Sequence, residues 1–500
     1  MRDVIPENFR FHLILLKNSR LRDNTPVIGR RGNFSMMGQL PAAQNALFYE
    51  FSLEQHIPDN HLLRQIDQFL DFDTIRQHLT SHYSHTGRPS IDPELMIRML
   101  LLGYCYGIRS ERRLCEEVNF NLSYRWFCRL GLEDAVPDHS TFSKNRHGRF
   151  RDSDLLRFVF NTIVTRCVEE GLVGGEGFAI DASLVRADAN KQRREYSPVD
   201  WTPSKVQNRA VKEYLEILDQ EPALNRKQKC VSLTDPMAQW SAAGGSAYFF
   251  YSTNYLIDVD NSIIMDVEAT PSHRQLEVAT TKTMIDRVES LHAICPERLL
   301  GDTAYGSAEN LHYLVSDKQI EPHIPVWDKR QRKDDTFSVS DFHWNEDKDA
   351  YYCPSGNSLR RRQRPLKIGE TGVTVDNTII YRSNRTDCKD CSLKQRCCPN
   401  TSHRKIARSI FEASREVARK ISGSEEYFNT SFHERKKVEM QFAHMKHHLG
   451  FDRLRLRGIE SANDEFLLVA TAQNLRRLAR LRSRPPPDHR VSASGIQKMK

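Results

Sequence analysis

Three carboxylates stand out by type and setting: Asp181, Asp302 and Glu439. Carboxylates held on rigid elements are hard oxygen donors, the kind that suit Mg2+ or Mn2+. Two such ions about 3.5–4 Å apart activate an attacking oxygen and stabilise a leaving one in phosphodiester chemistry. Arg435 stands four residues before Glu439, and Lys446 seven after it. Those spacings return to about one helix face. There the two cations would clamp phosphates on either side of a scissile bond. Plainer readings exist beside this one. An aspartate ending a strand caps a turn, and an i,i+4 Arg–Glu pair is often only a solvated helix face. The chain has no glycine-rich phosphate loop or nucleotide fingerprint, so no ATP or other nucleotide cofactor is implied.

The elements that must position these groups are legible. FAIDASLVRADAN, residues 178–190, begins as an apolar run behind Gly174, Gly175 and Gly177, which reads as a buried strand with Asp181 where the run ends. Leu299-Leu300 is a short apolar strand leading into Gly301-Asp302. Residues 249–259 and 262–269 read as a hairpin around Asp260-Asn261. Residues 275–292 and 307–315 read as helices, and 322–326 as a last strand. Strand, hairpin, helix, strand, helix, strand suits a mixed α/β sheet flanked by helices. Asp181 and Asp302 then lie at strand ends, where open sheets place their sites. Glu439 falls on a helix within 432–446, and a further helix covers 460–481.

Upstream, residues 59–150 are helical by period. Leu62, Leu63, Ile66, Phe69 and Leu70 make one face. Asp92 and Pro93 open a helix that is apolar almost all round. The last of these helices carries Lys144, Arg146, His147 and Arg149. Its basic face suits a helix-turn-helix type of DNA contact, with Lys144 and Arg146 as candidates; an ordinary helical bundle is the alternative. A linker helix over 154–171 follows, and 190–245 reads as loop and short helix.

Residues 328–404 are polar and basic, with short β-like pieces and bunched cysteines: Cys353, then Cys388-Lys-Asp-Cys391, then Cys397-Cys398. A small sheet without its own core needs a staple. Four thiolates including a C-x-x-C pair suit tetrahedral zinc, with Cys353, Cys388 and Cys391 as ligands and either Cys397 or Cys398 as the fourth, of which Cys397 is taken; free thiols in a loop are the alternative. The expected organisation is therefore an irregular arm over 1–50, a helical DNA-binding domain over 51–150, and a first core segment over 151–327. A cysteine-bearing insertion over 328–404, C-terminal core helices over 405–482 and a disordered basic tail over 483–500 complete it. Met36 and Met37 offer alternative starts.

Net charge is +8, from 73 basic against 65 acidic residues among 500. The excess is modest, so its clustering matters more: 360–364, 404–419, 453–457 and 476–490. Clustered Lys and Arg are the footprint of a phosphate-backbone partner. Eleven cysteines, an odd number in an intracellular-looking chain, argue against a disulfide framework. The longest apolar stretch, 95–108, contains Arg98 and falls short of a membrane span. No signal-peptide pattern is present, so the expectation is a soluble cytoplasmic protein with no membrane partner.

Several stretches carry a family resemblance. They are GRPSIDPELMIRMLLLGYCYGIRSERRLCEEV, PDHSTFSKNRHGRF, FAIDASLVRADAN, LLGDTAYGS and RKKVEMQFAHMKHHLGFDRLRLRG, in that order. Together they resemble the DDE transposases of bacterial insertion sequences, in particular the group named in words IS eleven-eighty-two, related to the IS four and IS five groups. The resemblance covers about residues 50–480. It implies an RNase H-like core with catalytic Asp181, Asp302 and Glu439, Mg2+ as cofactor, and cleavage and joining of double-stranded DNA at terminal inverted repeats and target. It also implies a dimer or higher assembly on DNA, associated with the bacterial nucleoid when bound. The related group carries a tyrosine–arginine–glutamate–lysine signature. Here Arg435, Glu439 and Lys446 fit it, but Phe432 stands at the tyrosine position, so only ring stacking remains there. Two other expectations compete: an inactive remnant that still binds element ends, and a nuclease that cuts without joining.

Overall fold

The structure, a computed structural model, describes residues 51–84, 86, 90–220, 229–242, 245–327, 334–361 and 372–482. The expected arm, the alternative starts and the tail from 483 lie outside the described residues. The central sheet is built from β1 (Gly177–Arg186), β2 (Tyr248–Asp258), β3 (Ile264–Pro271), β4 (Arg298–Leu300) and β5 (Glu321–His323). Their order across the sheet is β3-β2-β1-β4-β5, and a short edge strand, Gln239–Ser241, pairs with the start of β2. β1 and β2 are antiparallel, as are β2 and β3. β1, β4 and β5 run parallel. The two parallel neighbours are reached through helical crossovers, as parallel pairing requires. The expected alternation of strands and helices is present, with one extension. β1 does not end at Asp181 but continues to Arg186, because β2 pairs with it as far as Arg186↔Phe250.

Five helices matter for the site: α1 (Pro93–Cys105), α2 (Leu155–Glu169), α3 (Arg274–His292), α4 (Phe432–His448) and α5 (Ile459–Arg482). α1 starts as its sequence asks. Pro93 occupies the first turn, and the Asp92 carboxylate accepts the Glu94 N–H at 2.8 Å. Arg98 sits buried inside this apolar helix. Its guanidinium donates to Glu94 at 2.8 Å and Asp67 at 2.5 Å and lies 4.2 Å over the Phe72 ring. A buried charge needs such partners. α5 is buried along most of its length and packs against α1, α2 and β3. Asn474 grips the β3 backbone: its side chain accepts from Ile264 N–H at 2.9 Å and donates to Ile264 C=O at 2.8 Å.

The helical segment expected over 51–150 shares one core with the sheet. Apolar contacts run without a break from Ile57 through Phe160 and Ile257 to Ala479, and the chain from Ser52 onward forms one compact unit. A helix apolar all round must be covered on every side, and α5 covers α1. Polar ties follow the same seam. Arg109 pairs with Glu465, both almost fully buried, and Arg476 donates to the Cys105 carbonyl at 2.8 Å.

The expected insertion and the residues just past its 404 boundary, where a helical segment is expected to begin, together form a second, antiparallel sheet: β6 (His343–Asn345), β7 (Ala350–Tyr352), β8 (Ser358–Arg361), β9 (Thr378–Arg382) and β10 (Lys405–Ser409), neighbours in chain order. Its own core is small: Phe342, Tyr351, Leu359, Tyr381 and Ile406, with Cys397 and Cys398.

Candidate active site

The parallel register places the first two acids. Ala179 stands opposite Leu300, the last residue of β4. Two residues further on each chain come Asp181 and Asp302, on neighbours roughly 4.8 Å apart across the sheet. Asp302 leaves the strand and caps the short turn Thr303–Tyr305, its carboxylate accepting Ala304 N–H at 2.7 Å. The turn-capping role therefore falls to Asp302. Asp181 stays in β1, half-buried, and accepts the adjacent Ala182 N–H at 2.8 Å. Burial pushes its pKa up from 3.8 to about 6; Asp302 and Glu439 push the same way, against Arg435.

The third acid arrives on α4. This helix buries Val438, Gln441, Phe442 and Met445. The Phe442 ring stacks on Tyr255 at 5.3 Å, and Tyr255 is the β2 residue directly opposite Asp181. Gln441 donates to the Ser262 carbonyl at 2.6 Å. These two contacts turn the preceding helical turn toward β1. Glu439 lies there, half-exposed, paired with Arg435 at 3.2 Å. Its charge and that of Arg435 both reach Asp181.

Lys446 is placed elsewhere. It is half-buried near Asp452, which pairs with Arg186 at the far end of β1. Burial pulls its pKa below the usual range, opposed by Asp452. The helix spacing is as expected, but the charge that reaches the lysine is Asp452, beside the last residue of β1, and not the three acids. Phe432 is exposed at the start of α4, with the Lys436 ammonium 4.5 Å over its ring. Lys144 is exposed, whereas Arg146 is not available to solvent. Arg146 is buried and paired with Glu111, because the backbone turns it into the seam between the helical segment and α5. This differs from the DNA-facing role expected from the basic run.

Two residues that sequence reasoning missed complete the surroundings. Tyr305 lies three positions after Asp302, and its hydroxyl is buried with no hydrogen-bond partner among the described residues. Burial raises its pKa well above the usual value, helped by Asp181, Glu277 and Asp302. Glu277, on α3, accepts the Ser252 hydroxyl from β2. The stretch LLGDTAYGS held the signal for Tyr305, an aromatic one turn beyond the acid. The turn itself is clamped. Gly306 C=O accepts Trp327 N–H at 2.9 Å, and a Cβ at Gly306 would lie 2.1 Å from Pro325 O.

Among the described residues no three His, Cys, Asp or Glu side chains stand in metal-holding geometry. The donor set still fits a hard divalent ion: the carboxylate oxygens of Asp181, Asp302 and Glu439 beside the buried Tyr305 hydroxyl, which has no partner among the described residues. Further along β1 a groove carries Arg186, Lys191, Arg453 and Arg457 around one carboxylate, Asp188, which pairs with Arg453 at 2.8 Å and Arg457 at 3.1 Å, with Tyr248 in its wall. No helix among the described residues is long and apolar enough to cross a membrane.

A mixed sheet with two acids level on parallel neighbours, and a third acid on a helix docked across them, defines a carboxylate-centred α/β protein. Comparison with protein families makes the reading more particular. Residues 51–148 match the family described as Transposase domain (DUF772), and residues 352–479 match the family described as Transposase DDE domain. The two matches, in this order, support a DDE transposase of insertion sequences. Glu439, α4 and most of α5 lie inside the second match, whereas Asp181 and Asp302 lie between the two.

Proposed function

We propose that this chain cleaves DNA at the ends of an insertion sequence of the IS eleven-eighty-two group and joins those ends to a target. The observation that carries this reading is the level placement of Asp181 and Asp302, with Glu439 brought into electrostatic reach by the Phe442–Tyr255 stack. The strand order β3-β2-β1-β4-β5, three antiparallel strands followed by two parallel ones, is our reason for reading the sheet as RNase H-like.

Asp181, Asp302 and Glu439 would hold Mg2+ or Mn2+, which supplies activation of the attacking oxygen and stabilisation of the leaving one. The chain's own side chains do the rest. Asp181 must be ionised to serve; with its pKa raised to about 6 it gives up its proton as pH rises through that value, and a bound cation would favour the ionised form further. Arg435 holds Glu439 on the β1 side of α4 and offers its guanidinium to a phosphate beside the acids. Burial of Tyr305 keeps its hydroxyl protonated, a donor within electrostatic reach of Asp181 and Asp302. Arg186, Arg453 and Arg457 extend the positive surface along β1 and suit a duplex backbone leading away from the site.

The test uses full-length protein and duplexes carrying the two element ends. Asp181→Asn, Asp302→Asn and Glu439→Gln should each remove cleavage, by at least about 100-fold, and leave end binding within about threefold. Mn2+-supported cleavage that survives all three changes ends the proposal. Cleavage without joined product favours a nuclease, and end binding without cleavage by the unaltered protein favours an inactive remnant.

A further inference from the structure

The second sheet poses a stability problem of its own. Its five strands are three to five residues long, and its apolar core amounts to five side chains and two thiols. So small a sheet is marginal without a covalent or metal staple. At one end of it, Cys353, Cys388, Cys391, Cys397 and Cys398 all line a single cavity of about 20 Å³. That is room for one ion or water. The remaining walls are mixed: Pro354, Leu359 and Leu393 are apolar, whereas Asp387, Lys394 and Arg404 bring charge.

The backbone around the cavity is prepared from three sides. Cys353 follows β7 in a tight turn, closed by Cys353 N–H to Asn357 C=O at 2.9 Å and Gly356 N–H to Cys353 C=O at 2.8 Å. Gly356 takes φ +81°, a left-handed conformation that glycine adopts without strain. Cys388 ends a helix that Asn384 caps, and Ser383 Oγ lies 3.1 Å from its sulfur. Ser355 Oγ lies 3.3 Å from the Cys391 sulfur. Cys397 ends the helix Lys394–Cys397. Against it lies Arg404, buried, whose guanidinium donates to the Cys397 and Phe337 carbonyls, each at 2.8 Å. Four thiolates around a divalent ion carry a net double negative charge, which this guanidinium would face. As placed, no three of the sulfurs form a metal-holding group, so the side chains must turn inward on binding.

We propose that Cys353, Cys388, Cys391 and Cys397 bind one Zn2+ that staples the second sheet, with Arg404 balancing the charge and Cys398 serving as a neighbouring apolar thiol. The staple acts beyond the sheet. Asn377 donates to Glu309 at 2.7 Å, on the helix that follows the Asp302 turn. His312 of the same helix stacks on Phe411 at 4.4 Å, just after β10. β10 then leads through the helix Glu412–Ser422 into α4. The sheet thus braces the segment after Asp302 against the segment that delivers Glu439. This site does not depend on the proposed transposase activity and is read out separately.

The experiment is metal analysis of the full chain, purified under reducing conditions without added metal. About one zinc per chain is expected. Cys388→Ser, Cys391→Ser and Cys397→Ser should each lose it, whereas Cys398→Ser should retain it. Because a serine variant can fail by misfolding, the unaltered protein is also treated with a strong chelator. Chelation should make thiols newly reactive toward a disulfide reagent and open cleavage by protease within 334–404, both reversed by Zn2+ and not by Mg2+. Absence of zinc, with thiol reactivity and proteolysis indifferent to chelator and Zn2+, overturns the proposal, as does a disulfide among these cysteines by mass spectrometry. Loss of zinc in Cys398→Ser with retention in Cys397→Ser overturns the assignment of the fourth ligand.

Discussion

Asp181 is the residue on which most depends, and its ionisation gives a test free of DNA. Its pKa in the folded chain, about 6, lies above the ordinary 3.8. The folded state therefore holds the proton more tightly than the unfolded one. That advantage is complete below about pH 4 and is lost as pH rises through about 6. Asp181→Asn removes the ionisation, so metal-free Asp181→Asn protein should be more stable than the unaltered chain at pH 7, on the order of 1–2 kcal/mol, and no more stable at pH 4. Urea denaturation at the two pH values decides this. Tyr305→Phe keeps the ring and deletes an unpartnered hydroxyl. It should leave stability unchanged or raised while lowering cleavage, which a purely packing role would not do.

At the scale of elements, α4 is held to the sheet by the Phe442–Tyr255 stack, the Gln441 amide hydrogen bond and an ion pair from Glu434 to Arg298 of β4 at 2.7 Å. Phe442→Ala should cost about 3 kcal/mol by denaturant titration. It should also lower cleavage by more than the unfolded fraction explains, because Glu439 loses its support. The helix itself was readable from spacing: 435, 439 and 446 do fall near one side. Where that side pointed was not readable. The packing of α4 leaves Lys446 half-buried near Asp452, the partner of Arg186 at the end of β1. Arg146 teaches the same lesson. A basic run predicts an exposed face, but the local turn buries this arginine on Glu111 while Lys144 stays outside. Period gives the element; packing decides which charges meet water.

At the scale of the molecule, the helical segment and the sheet are fastened through α5. Glu465 sits at that seam, buried, paired with Arg109 and accepting the Arg455 and Leu456 N–H groups at 2.7 Å each. Glu465→Ala strands a buried guanidinium and two backbone donors, and should cost about 3–5 kcal/mol. Loss should appear as a shift of one cooperative transition followed by circular dichroism, not as separate melting of a helical domain. Removal of residues 59–150 should for the same reason leave an insoluble remainder. Salt dependence of end binding is therefore better probed by point changes in the groove. Arg453→Ala and Arg457→Ala should each reduce the slope of log affinity against log salt by about one.

Residue types, local periods and short spacings are properties of neighbouring positions, so the sequence alone determined the three acids, the helix that carries Glu439, the strand–hairpin–helix order and the cysteine-bearing insertion. Contacts between distant segments depend on register and crossing angle, which no local window contains. Only the tertiary structure decided that Asp181 stands level with Asp302, that Tyr255 and Phe442 bring Glu439 toward them, that Tyr305 closes the same region, and that five thiols from three turns face one cavity.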